Sequence, residues 1–407
     1  MIRIKDIARK AEVSPTTVSN VIHGNHKKVS EETVEKVEKL LAEMDYIPSM
    51  GARMLAGGSS RVIGILAGEP DEWKHCGEGH AFTNILIRSM ESEIYRRNYY
   101  MLLHFTETPE EGIQFAATWN VEGLITLGFG TRENEKLQRS CKVPMVSIDT
   151  YYEKQKVANV GLDDVNGGYL MAEYLLETGH RRIAFLSDND IGVDHERWKG
   201  VCMACREKGL EERYGCGKGL AQAEGSGKKG SEEHCGCGKG LAQAEGSGKK
   251  GSEERYGSEK GLEPSEGNVR KEGSAGGYMQ HIIIPKGRKR RIAFYEKNLA
   301  RLSQEYDALF FASDYYAVEA LAGLDDMGIR VPYDVSVAGF DDTESSRMCR
   351  PRLTTVHQDV EEKARRAVKK LFEFIQGGRE ISLADKLPVK LVIRDSVENR
   401  RVIVQNE

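Results

Sequence analysis

Two sets of side chains in this 407-residue chain have types and spacings that could do chemistry, and both suit binding better than catalysis. The first is Ser14-Pro15-Thr16-Thr17-Val18-Ser19-Asn20-Val21-Ile22. Ser14 before Pro15 is a strong helix start, a capping hydroxyl ahead of a proline at the first helical position. The helical period then buries Val18, Val21 and Ile22 and turns Pro15, Thr16, Thr17, Ser19 and Asn20 outward. The second set is scattered. Asp163 and Asp314 each follow a strand-like stretch, Arg197 opens a helical pattern with Gly200 three residues on, and Phe82-Thr83-Asn84 precede the helix after the first strand. Carboxylates and a guanidinium fork take paired hydrogen bonds from adjacent hydroxyls, and an aromatic face covers an apolar ring side, so this set suits a polyol. A plainer role, capping the next helix, is open to Asp163 and Asp314.

Catalytic and metal-binding patterns do not emerge. His104, His180, His195 and His357 fall into no metal or triad spacing, and there is no nucleophile elbow or phosphate loop. Cys202 and Cys205 form a C-x-x-C inside an amphipathic helical stretch, Arg197 to Gly209, without a second pair at finger spacing. The eight cysteines (76, 141, 202, 205, 216, 235, 237 and 349) are expected to be reduced thiols. No catalysis, metal or cofactor is expected.

No apolar run approaches the ~20 residues a membrane helix needs. Arg3, Lys5 and Asp6 stand where a secretory signal would be apolar. The expectation is a cytoplasmic protein, nucleoid-associated when on DNA, with no membrane partner. The net charge is −4, but its distribution is uneven. Residues 1–30 carry six basic against two acidic side chains, and residues 31–60 carry three against six. The basic end is the part that could meet phosphates.

The elements positioning the first set are three helices. Ile4 to Ala11 has Ile4, Ile7, Ala8 and Ala11 on one face, and Glu12-Val13 breaks it. The second helix, Pro15 to Ile22, ends at His23-Gly24-Asn25. A third runs from Ser30 to about Met44 on Val34, Val37, Leu40 and Leu41, with Glu31 and Glu32 favourably placed at its positive end. Two short helices braced by a third describe a helix-turn-helix, whose second helix enters the major groove. An anonymous three-helix bundle would share the pattern. From residue 61, strand-like runs (Val62–Leu66, Tyr100–Phe105, Leu124–Leu127, Val143–Ile148, Ile183–Leu186, Ala308–Phe311, Val335–Ala338) alternate with helical ones such as Ile85–Arg97, Gly167–Thr178 and Tyr315–Met327. That alternation argues an α/β body of doubly wound parallel sheets, whose ligands sit beyond the carboxyl ends of the strands.

Three motifs then fall in register: I-K-D-I-A-x-x-A-x-V-S-x-T-T-V-S-x-V-I from Ile4, V-S-E-E-T from Val29, and Y-x-P-x-x-x-A-R-x-L from Tyr46. Together they span nearly all of residues 4–55, and the chain resembles the LacI/GalR family of bacterial transcription regulators. The resemblance implies that Pro15, Thr16 and Asn20 read bases and that Ser14, Thr17 and Ser19 hold phosphates. It implies a hinge helix containing Ala52, Arg53 and Leu55, with Leu55 wedging open the minor groove at the operator centre. So short a helix is marginal alone, and Gly51 weakens it further, so it should form only on DNA. Arg3, Ser49 and Pro15 depart from common family residues, which leaves the operator sequence undetermined. The resemblance also implies a body of two interleaved subdomains, like a periplasmic sugar-binding protein, with Phe82, Thr83, Asn84, Asp163, Arg197 and Asp314 lining an effector cleft. Asp341-Asp342 also matches a family motif, read here as structural and interfacial.

Residues 215–233 recur identically at 236–254, and a decayed copy starts at Glu254. Each copy offers one leucine and several glycines, too little apolar surface to offset the entropy of ordering. A disordered loop over about 212–276, arising by tandem duplication, is the expectation. It falls where the family has a strand and a wall of the cleft. A soft-metal site at Cys216, His234, Cys235 and Cys237 is disfavoured.

The resulting organisation is a helix-turn-helix at 1–45, a hinge and linker at 46–60, and an effector-binding and dimerisation body at 61–407. No leucine heptad follows Asp395, so a homodimer on a palindromic operator is expected. The reading is a transcription regulator, most simply a repressor, controlled by a small effector, a sugar or related polyol. A transporter's solute-binding protein would share the body but begin with a signal peptide. An enzyme would need a catalytic constellation. Induction and corepression are not separable from sequence.

Overall fold

The computed structural model describes residues 2–22, 29–46, 59–68, 81–106, 108–151, 157–212, 277–377 and 382–401. Three helices open the chain: α1 (Ile4–Ala11), α2 (Pro15–Ile22) and α3 (Glu31–Glu43). Their shared core is Ile7, Ala8, Ala11, Val18, Val21, Val34 and Val37, the apolar positions of each helical period. The turn between α1 and α2 is tight because Glu12 adopts a left-handed conformation (φ 60) and Val13 N–H donates to Ala8 O at 3.0 Å. Ser30 caps α3, its hydroxyl accepting from Thr33 N–H.

Two parallel sheets follow. The first has six strands: β1 (Val62–Gly68), β2 (Tyr100–Thr106), β3 (Gly123–Leu127), β4 (Met145–Ile148), β5 (Ala158–Leu162) and, much later, β12 (Ala384–Leu387). Their order is β12-β5-β4-β3-β1-β2. The second has five: β6 (Arg182–Ser187), β7 (Glu211–Glu212), β8 (Tyr278–Ile283), β9 (Ala308–Phe311) and β10 (Ser336–Ala338), in the order β10-β9-β6-β8-β7. All the pairings within both sheets are parallel. The inner strands are nearly continuous apolar runs, as strands covered on both faces must be. A short antiparallel ladder, β11 (Thr355–His357) with β13 (Lys390–Val392), completes the framework.

The chain crosses between the sheets three times. It leaves the first after β5, through α7 (Asp164–Glu177), to β6. It returns after β11 through α12 (Val360–Ile375), which packs Ala364, Ala367, Val368 and Leu371 into the core. It crosses again between β12 and β13. The first and third crossings are stitched by Asp163 N–H donating to Leu387 O at 2.9 Å. This is the doubly wound, two-subdomain body expected from the sequence. The Ala52, Arg53 and Leu55 positions lie outside the described residues. So does the insert from residue 213 on, although Glu211 and Glu212 immediately before it form the edge strand β7.

One helix pair positions the second set of polar residues. Helices α7 and α8 (Gly192–Glu207) meet backbone to backbone at two glycines. A Cβ on Gly200 would lie 1.9 Å from Val165 O, and one on Gly168 would lie 2.0 Å from Arg197 O. No other residue fits at either place, which gives the Arg197-x-x-Gly200 spacing its physical reason. Arg197 does not open its helix; it stands in the second turn, and the helix begins at Gly192 because Ile191 is extended and Gly192 takes a positive φ.

Candidate functional site

On the N-terminal bundle, α2 presents Pro15 and Thr16 exposed to solvent, with Thr17, Ser19 and Asn20 half-exposed. Ser14 caps this helix. Its Oγ accepts from Thr17 N–H at 3.0 Å and lies 2.9 Å from Thr17 Oγ1. The helix is therefore anchored by an apolar inner face and a hydroxyl cap, and its polar outer face carries no structural burden from Pro15 or Thr16.

The second constellation forms where the carboxyl ends of both sheets face each other. Arg197 is its centre and is buried. Its Nε donates to Asp164 Oδ1 at 2.8 Å and one terminal nitrogen donates to Ala312 O at 2.5 Å. Asp341 Oδ1 lies 3.9 Å away, and the guanidinium rests 3.6 Å above the Phe340 ring centroid. Burial by itself would discourage the charge, but Asp164, Asp341 and Asp194 outweigh it and raise the Arg197 pKa above the ordinary arginine value.

Asp314 is fully buried, the first residue of α10 (Asp314–Asp326). The cap of that helix is Ser313, whose Oγ accepts from Tyr315 N–H at 3.3 Å. The Asp314 carboxylate instead accepts from Thr343 N–H at 2.8 Å and from the Thr355 hydroxyl. Burial, with Asp341 nearby, pushes its pKa up to about 7. Asp163 is half-buried at the end of β5 and makes no capping bond to α7. Thr83 is buried, Phe82 half-buried and Asn84 exposed at the start of α4 (Ala81–Tyr95). The structure thus brings Asp163, Arg197 and Asp314 to one region of strand ends, and sets Phe82 beside a second charged centre.

That second centre escaped the sequence reading. Lys363, on α12, is 1% exposed, and its Nζ donates to Asp149 Oδ2 and Oδ1 at 2.7 and 2.9 Å and to Gln358 Oε1 at 3.0 Å. The ammonium lies 5.1 Å from the Phe82 ring centroid. Burial raises the Asp149 pKa, and Lys363 opposes the rise. Asp149 directly follows β4, so the strand-end rule that selected Asp163 also points to it. The Asp341-Asp342 pair, both at positive φ, is held as expected of structural residues. Asp341 accepts from Ser313 and Gln358, and Asp342 from Arg347, Arg394 and His357. Of the histidines, His357 is committed to Asp342, while His180, buried, and His281, half-buried, are driven down to about 4 by desolvation. Cys202 and Cys205 are buried, and burial raises both thiols to about 12, which makes them inert at neutral pH.

Comparison with known proteins bears on both regions. Residues 3–49 match the bacterial regulatory proteins of the lacI family, and residues 249–397 match a periplasmic binding protein-like domain. The HTH-type transcriptional repressor PurR of Vibrio vulnificus is 25% identical over 98% of this chain and 99% of its own length. PurR of Erwinia tasmaniensis is 29% identical over 98% and 97% respectively. Among solved structures, the lac repressor dimer bound to operator and the anti-inducer ONPF superposes with a TM-score of 0.69 at 21% identity, covering 98% of this chain and 99% of that one. The CelR–cellobiose complex gives 0.60 at 22% identity, covering 97% and 100%.

Proposed function

We propose that the chain is a member of the lacI family of bacterial DNA-binding transcription regulators, whose pattern residues 3–49 match, and that it is a cytoplasmic homodimeric repressor of a palindromic operator, controlled by a sugar or related polyol. The observation that carries the DNA half is α2. Its inner face is spent on the bundle core, while Pro15 and Thr16 stand free on the outside. In this reading Pro15, Thr16 and Asn20 meet base edges, with Pro15 supplying only apolar contact, and Ser14, Thr17 and Ser19 meet phosphates. Ala52, Arg53 and Leu55 act at the minor groove between the two half-sites.

The effector half rests on the strand-end constellation. Phe82, Thr83, Asn84, Asp163, Arg197 and Asp314 are the contacts proposed. Asp163 and Phe82 are half-buried, a carboxylate that makes no capping bond and an aromatic face. A carbohydrate is favoured because a carboxylate and an aromatic face together match a polyol ring, and proteins of similar structure bind cellobiose and ribose. Effector binding would shift the relative pose of the subdomains, with a coupling of about 1–3 kcal/mol typical of such switches.

The test is to mix the purified full chain with sheared genomic DNA of its own host and sequence what it retains. A short palindrome upstream of transport or sugar-use genes, bound with a steep salt dependence, is the expected result. Retention without any sequence preference would refute the operator reading.

A further inference from the structure

The two charged centres of the cleft are not separate. Asp149 accepts from Lys363 Nζ, Lys363 donates to Gln358 Oε1 at 3.0 Å, and Gln358 Nε2 donates to Asp341 Oδ1 at 2.5 Å. Asp341 lies 3.9 Å from Arg197, which donates to Asp164 at 2.8 Å, and Asp164 accepts from the Tyr151 hydroxyl. Tyr151 is two residues from Asp149, so the chain itself closes the loop into a ring. The ring touches both sheets: Asp149 and Tyr151 follow β4 of the first, and Asp341 follows β10 of the second. It also touches two of the three crossings, at Asp164 after β5 and at Gln358 before α12.

We propose that this ring is the latch that fixes the relative pose of the two subdomains, with Lys363 as the positioning residue through which a ligand in the cleft releases it. The physical argument is saturation. All three ammonium donors of Lys363 are taken, by Asp149 twice and by Gln358. Arg197 is held by Asp164 and Ala312. A relative movement of the subdomains must therefore break the Tyr151–Asp164 link or the Lys363–Gln358–Asp341 link, and either break leaves a buried charge short of a partner. Such a contact is made or lost as a whole, which is what a two-state element requires. The ammonium lies 5.1 Å from the Phe82 ring centroid, so a ligand packed beside that ring can supply the acceptor that frees Gln358. The latch itself stands on geometry alone; its effect on DNA rests on the regulatory reading above.

Two cuts at opposite sides of the ring test it. Tyr151→Phe removes the hydroxyl that reaches Asp164, and Gln358→Met removes the amide between Lys363 and Asp341. Both are made in the full chain, singly and together, with thermal melting to confirm folding. Hydrogen exchange is followed at residues 157–164 and 355–363, and affinity is measured for the operator fragment recovered from genomic DNA. One ring predicts that either cut raises exchange in both segments, shifts operator affinity about tenfold, within the range of ordinary allosteric coupling, and that the double variant goes no further. Independent bonds predict exchange raised only near each cut and effects that add; that result overturns the proposal. If the intact chain recovers no operator, the regulatory reading fails while the exchange data still decide the latch. Should Gln358→Met fail to fold, Tyr151→Phe with exchange read at 355–363 remains decisive.

Discussion

The helix-turn-helix bundle and the strand-end cluster of the body place polar chemistry in opposite ways. In the bundle, apolar residues supply the core and the candidate contacts project from its surface, with Pro15 and Thr16 exposed. Changing an outward residue leaves the fold alone, so specificity can vary freely there. In the cleft, the polar residues are themselves the interior. Arg197, Asp164, Asp314 and Lys363 are all buried; Arg197 donates to Asp164, Asp314 accepts from Thr343 and Thr355, and Lys363 donates to Asp149 and Gln358. A change at one strands the groups bonded to it. The first region can therefore alter its target one residue at a time, whereas the second can alter its ligand only by compensated changes.

The sharpest way to break this comparison is Arg197→Met. It leaves Asp164 buried with Tyr151 as its remaining partner and removes the donor to Ala312 O. Loss of one partner of a buried pair costs about 3–5 kcal/mol. Urea unfolding followed by tryptophan fluorescence should show the body destabilised by this amount, Trp198 being the residue next to Arg197. A cost under about 1 kcal/mol would mean that the cleft tolerates single changes as the bundle surface does.

The bundle has its own weak point, on its inner face. Ile7→Ala empties a fully buried position in a small core and should cost about 2–5 kcal/mol, enough to unfold a three-helix unit of this size and abolish DNA binding. Thr16→Ala, on the outer face, should leave melting unchanged and alter only DNA affinity. Circular dichroism and a binding titration on the two variants separate the faces. Equal melting losses would erase the distinction drawn between them.

The same contrast explains what could be read from the sequence. The bundle is legible because its information is local. Ile4, Ile7 and Ala11 share a face by period alone, Glu12 breaks the helix and Ser14 caps the next, all within eleven residues. Strands β1, β3 and β9 were legible for a similar reason, as short apolar runs bounded by turns. Helix α12 was not identified. Its buried face carries Lys363 and Lys370 among the alanines, which blurs the apolar stripe. The Asp149–Lys363 pair joins residues 214 apart, and no spacing rule reaches that far. A lysine inside an apolar helical face is the signal that could have exposed it. Asp163 was chosen over its neighbour Asp164, and only the close approach of α7 and α8 at Gly168 and Gly200 decides which of the two meets Arg197.

The smallest effect expected is a pH dependence confined to the body. Burial raises Asp314 to about 7 and Asp194 to about 8, and raises Asp149 and Asp341 as well. Each then holds its proton in the folded state at pH values where the unfolded chain has lost it. Stability therefore falls as pH rises from the ordinary carboxylate range through these folded values. His180 and His281 have the opposite sign. Lowered to about 4, they bind fewer protons folded than unfolded, so their contribution grows as pH rises from about 4 to the ordinary imidazole value of about 6.5 and is constant above it. Below about 6.5 the two sets oppose each other; above it the carboxyls act alone. Body stability should then decline between pH 6.5 and 8, by no more than about 1.4 kcal/mol per pH unit for each carboxyl still titrating. Asp194→Asn should flatten the decline at its upper end, read as urea midpoints at closely spaced pH values. The bundle, whose described carboxylates lie at its surface, should show no matching slope, and a decline shared equally by both regions would show that the buried acids are not its source.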